Sequence, residues 1–153
     1  TIEYTPDSRW IITQYRATDQ KHQADEVPAL TEDGAIDIIN QFEIIKNDIY
    51  PSSENKFKTK NEFYGAFANV MTKEEAERIF SDRIEERDNG LYFIPMDGLQ
   101  RWSFEIPHEF KKINENKYTL SQYREDDLNG NGTFYVTFEY MNGTKWMITH
   151  YGK

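Results

Sequence analysis

The chain has 153 residues, 37% hydrophobic and 29% charged, with a net charge of −9 and no cysteine. That composition suits one folded core rather than two, and a folded rather than a disordered chain. The missing thiols exclude disulfides, cysteine nucleophiles and cysteine-bound zinc or iron–sulfur sites. The acidic balance argues against nucleic acid and anionic membrane as partners, since both repel it. No run approaches the roughly 20 apolar residues of a membrane span. The chain begins at Thr and shows no signal peptide, so it reads as a trimmed chain whose targeting segment could have been removed.

The first fifteen residues, TIEYTPDSRWIITQY, read as strand, turn and strand around Pro6-Asp7. They match TFEYMNGTKWMITHY near the other end without a gap. Thr1 lies over Thr137, Glu3 over Glu139, Tyr4 over Tyr140, Trp10 over Trp146, Ile12 over Ile148 and Tyr15 over Tyr151. A repeat at a domain-sized period points to an array. Residues 1–15 are therefore expected to be a β-hairpin like the closing hairpin of a preceding repeat, and Trp10 and Trp146 to be packing anchors. Residues 16–30 are polar and aperiodic and read as a linker, which leaves 31–153 as one α+β domain.

Thr31, followed by Glu32 and Asp33, starts the first expected helix. Ala35, Ile38, Ile39, Phe42, Ile45 and Ile49 form its apolar stripe, and Pro51 ends it. Thr59 with Glu62, and Thr72 with Glu75, have capping-box spacing and start two more. Phe63, Phe67 and Val70 face inward from the second. Ala76, Ile79, Phe80 and Ile84 face inward from the third, with a Glu74–Arg78 pair outside and Asn89-Gly90 as its stop. Glu85, Glu86 and Asp88 read as its solvated end. The period then changes to two. Strands are expected at 91–94, 101–106, 118–123, 133–140 and 144–151, the last two joined by Asn142-Gly143. Helices followed by an antiparallel meander give an α+β class, with N-terminal helices packed on one face of a curved sheet.

Few residues point to chemistry. The loop from Asp127 to Gly132 has alternating oxygen ligands and a glycine at the sixth place, but Phe138 stands where a calcium loop needs its glutamate. It reads as a strand connection, and no metal or cofactor is expected. His22, His108 and His150 lack metal-ligand spacing. No serine-nucleophile elbow, P-loop or dinucleotide fingerprint is present. The most site-like stretch is PMDGLQRW, residues 95–102, which combines Pro, Gly, Arg and Trp. The competing interpretation makes Asp97-Gly98 a turn and Trp102 a core residue. The candidate binding residues are Tyr92, Asp97, Arg101 and Trp102.

Four stretches carry a family resemblance: Met71-Thr72-Lys73-Glu74, Asn89-Gly90-Leu91-Tyr92, Asp97-Gly98, and the closing Gly143-Thr144-Lys145-Trp146-Met147-Ile148. With them, residues 31–153 resemble the IseA type of secreted Gram-positive protein, which inhibits peptidoglycan DL-endopeptidases. The ending is also similar to NTF2-like and cystatin-like domains. The resemblance implies a non-enzymatic, extracytoplasmic protein-binding module, secreted or anchored at the cell surface, that blocks a cell-wall hydrolase through an acidic surface. The extra N-terminal hairpin departs from it and suggests a tandem protein. Two alternatives stand beside it. One is an NTF2-like ligand-binding or enzymatic domain with His150 or Asp97 as base. The other is a structural spacer repeat, or a homo-oligomer assembled by strand exchange through the severed hairpin's unpaired edge.

Overall fold

The computed structural model describes residues 26–51, 56–125 and 130–153, together with the backbone of 2–4 and 10–12. Two short strands, β1 (Ile2–Tyr4) and β2 (Trp10–Ile12), pair antiparallel. Three helices follow: α1 (Glu32–Ile49), α2 (Lys60–Gly65) and α3 (Lys73–Phe80). Each opens on a threonine, and Thr31, Thr59 and Thr72 accept the backbone N–H groups of Gly34, Glu62 and Glu75. The chain continues through β3 (Ile84–Arg87), β4 (Gly90–Phe93), β5 (Glu109–Asn114), β6 (Lys117–Arg124), β7 (Gly132–Met141) and β8 (Lys145–Gly152). The class is α+β, with β3–β4 as one ribbon and β5-β6-β7-β8 as an antiparallel sheet.

Burial follows from the periods. Ala35, Ile39, Phe42 and Ile49 of α1 are buried. On β6, Tyr118, Leu120 and Gln122 point inward and alternate with more exposed neighbours. Phe63, Phe67 and Phe80 meet with ring centroids 5.1–5.5 Å apart, and Phe42 lies 4.8 Å from the Tyr151 ring of β8. That contact seats α1 on the sheet. Trp146 packs against Tyr118 and Tyr140 and donates its indole N–H to Pro28 O at 2.9 Å.

Both margins of the sheet are protected. Beside β8, Ile148 N–H donates to Val70 O at 2.8 Å and Ile148 O accepts from Thr72 N–H at 3.0 Å. Further along, Glu75 Oε1 accepts Tyr151 N–H at 2.6 Å, and Arg78 Nη2 donates to Tyr151 O at 2.9 Å. The Glu75–Arg78 pair thus answers a strand edge as another strand would. The opposite margin, β5, carries Lys111 and Lys112 and a register shift between Lys112 and Asn114, which are features that discourage pairing with another chain.

Several expectations need correction. The third helix stops at Phe80, not at Asn89: Ile84–Arg87 is a strand that pairs with Gly90–Phe93. Ile84 is buried in either geometry, so the apolar spacing could not separate them. Glu85 and Glu86 lie on that strand, not on a helix end. Arg78 pairs with Glu75 rather than Glu74, because only Glu75 sits beside β8. Residues 101–106 form no strand, and strand β5 was not anticipated. The second helix is a short one, with Phe67 and Val70 buried in the turns after it.

The strand pairs β1–β2 and β7–β8 have these registers. Ile2 faces Ile12, Glu3 faces Ile11 and Tyr4 faces Trp10. Phe138 faces Ile148, Glu139 faces Met147 and Tyr140 faces Trp146. Most of the expected linker, with His22, lies outside the described residues, as do Asp127 and Asn129 of the glycine-rich loop.

Candidate functional site

Between β4 and β5, residues 94–108 form neither helix nor strand. A structureless connection longer than about 12 residues is uncommon in a compact domain and usually functional. Its backbone groups still need partners, and side chains supply them. Tyr151 Oη accepts Trp102 N–H at 2.8 Å. Gln122, 2% exposed, accepts Ser103 N–H through Oε1 at 3.1 Å and donates through Nε2 to Ser103 O at 2.9 Å. Arg83 Nη1 donates to Asp97 O at 2.6 Å, and Arg124 Nη2 donates to Arg101 O. His108 Nε2 lies 2.9 Å from Glu32 Oε1 and ties the loop's end to the start of α1.

An ionic cluster lies beneath the loop. Tyr151 Oη donates to Glu43 Oε1 at 2.8 Å, Glu43 bonds Lys46 Nζ, and Arg101 Nε stands 4.0 Å from Glu43 Oε2. Burial lowers the Lys46 amine from its usual range, against the opposing pull of Glu43. Burial pushes the Tyr151 hydroxyl well above its usual range, and the Glu43 charge adds to that. These groups hold the loop on the fold. Two clefts meet at Leu99: one of about 220 Å³ bordered by Arg78, Arg83 and Gly152, and one of about 70 Å³ bordered by Lys46 and Tyr50. Both fall below the roughly 300 Å³ at which small-molecule pockets begin.

Asp97 and Arg101 sit together on this loop and are exposed, whereas Tyr92 lies on β4 with the Arg87 guanidinium 3.6 Å from its ring centroid. Trp102 is 4% exposed, with its ring against Phe134 and His108. It anchors the loop and offers no contact face, which corrects its placement among the binding residues. His150 is half-buried on β8, opposite Thr137. Sequence reasoning missed Glu43, Lys46, Gln122 and Tyr151. Gln122 left a signal: it is polar at an inward position of an alternating strand. Among the described residues no cluster of His, Asp or Glu is arranged to hold a metal ion, and no helix is long and apolar enough to cross a membrane. No family model matches the chain, and no curated protein matches it either.

Proposed function

We propose that the chain is a non-enzymatic protein-binding module of the extracytoplasmic envelope of a Gram-positive cell, with the loop of residues 94–108 as its contact surface. One observation carries this reading. Buried side chains fix the loop's backbone, while Met96 at 53% and Phe104 at 48% exposure stand in solvent beside Asp97 and Arg101. A loop ordered before binding avoids much of the entropy cost of association, and conserving that order is what Tyr151 and Gln122 do. The net charge of −9 favours encounter with a basic cleft. The IseA-type resemblance makes a peptidoglycan DL-endopeptidase the partner and inhibition the outcome. The matched hairpin registers favour a tandem array, in which β1–β2 closes a neighbouring unit and IseA-like or NTF2-like bodies repeat. A catalytic NTF2-like role fits less well, because the polar groups bordering the Leu99 clefts are engaged in holding the fold.

The test is a peptidoglycan turbidity assay with a purified DL-endopeptidase of the NlpC/P60 type. The protein slows hydrolysis, and a Met96→Asp, Phe104→Asp variant with an unchanged circular dichroism spectrum does not. No complex with such enzymes at micromolar concentration sinks the inhibitor reading.

A further inference from the structure

The four-stranded sheet packs one face on the helices and turns the other outward. On that outer face the register sets Ser121 beside Tyr135 and Tyr123 beside Thr133. The two tyrosines are therefore diagonal neighbours, about 7–8 Å apart in the backbone. They are 58% and 45% exposed, which for large rings is an invitation to a ligand when the surroundings match. The rings border a shallow groove of about 420 Å³, walled by Pro107, His108 and Glu109. This is within the size range of ligand sites, roughly 300–1,000 Å³.

The lining is unusual in its chemistry. The hydroxyls of Ser121, Tyr123, Thr133 and Tyr135 make no hydrogen bond to any described residue. In a chain that is 29% charged, the described residues lining the groove include one carboxylate, Glu109, and the His108 imidazole, already bound to Glu32. Among the described residues that line it, none is a Lys or Arg to take phosphates, and none forms a deep apolar hole to take a peptide anchor. Two tyrosine faces and a rim of neutral hydroxyls match a molecule that is itself apolar on its ring faces and hydroxylated at its edges.

We propose that this groove binds a neutral polysaccharide chain, whose sugar rings lie over Tyr123 and Tyr135 and whose hydroxyls bond Ser121 and Thr133. Dispersion and apolar burial against the rings supply the attraction, and the hydroxyl contacts select orientation. Its stacking residues Tyr123 and Tyr135 lie on the sheet, apart from the exposed Met96 and Phe104 of the protein-contact loop, whose end supplies only the Pro107 and His108 wall.

Affinity electrophoresis tests this, with the whole chain run in native gels cast with hydroxyethylcellulose, with glycol chitin or without polymer. At least one polymer retards the protein, and Tyr123→Ala or Tyr135→Ala weakens the retardation at least fivefold. The Met96→Asp, Phe104→Asp variant keeps it, which separates this site from the loop. Both tyrosines are exposed, so folding survives their loss, and circular dichroism checks that. Unchanged mobility in both polymers overturns the proposal. So does retardation that persists in the double tyrosine variant, or capture by immobilised peptides rather than by the glycans.

Discussion

Replacing Tyr151 by Phe removes one oxygen that does two things. It accepts the Trp102 N–H and donates to Glu43, each at 2.8 Å, on a residue 5% exposed. A buried N–H left without a partner costs about 1–3 kcal/mol, and a hydrogen bond to a charged group contributes about 1.5–3 kcal/mol. The two overlap, since the substitution also removes a polar group from the interior, so the expected loss is about 2–3 kcal/mol. For a domain of this size that lowers Tm by roughly 5–10 °C. Tyr64 is the control. It is 3% exposed and its hydroxyl has no partner among the described residues, so Tyr64→Phe should be neutral or slightly stabilising. Urea unfolding gives both values, and hydrogen exchange at the Trp102 amide shows whether the loop loosens first. Equal losses for the two variants, or a Tyr151→Phe loss under about 0.5 kcal/mol, refute the hydrogen-bond argument.

Two further predictions follow from buried groups. Glu75→Ala leaves Arg78 without its carboxylate and Tyr151 N–H without an acceptor. Arg78 is half-exposed and water can solvate it, so the cost is mainly the buried Tyr151 N–H left unpaired, about 1–3 kcal/mol, and urea unfolding should show a loss well above that of an exposed control such as Glu74→Ala. Stability should also fall in alkali. The Tyr151 hydroxyl is raised by burial and by Glu43, so its contribution is complete below the unfolded value of about 10 and is lost as pH climbs above it, at up to about 1.4 kcal/mol per pH unit. Tyr64 is displaced the same way. Lys46, lowered by burial, works in the opposite sense, so stability rises with pH between its folded value and about 10.5. The urea midpoint should therefore drop above pH ~10, and the Tyr64→Phe, Tyr151→Phe double variant should lose most of that drop.

Local signals in the sequence were read well where the physics is local. The three threonine caps involve atoms a few residues apart, and each helix starts where its cap says. Asn142 and Gly143, both with positive φ of 54° and 65°, form the turn that their residue types favour between twisted strands. Residues 84–87 were harder, because four residues with one apolar member fit either a last helical turn or a strand. Strand β5 hid for a related reason: every residue but Phe110 is exposed, so an edge strand of this kind has no alternation to read. The stretch from Pro95 to Gly98 was legible as a connection by composition, and Asp97 on it and Arg101 just after it stand in solvent. What holds it was not legible. Trp102 looks the same in sequence whether displayed or buried, and its partners come from Tyr151 and Gln122, far along the chain.

The way Glu75 and Arg78 occupy the rim of β8 has a consequence for any larger assembly. With that rim answered by side chains and the far rim guarded by Lys111 and Lys112, a neighbour gains little by laying a further strand alongside. Units of this kind would be strung like beads, each melting on its own, so that adding copies lengthens the string without making any one bead harder to unfold.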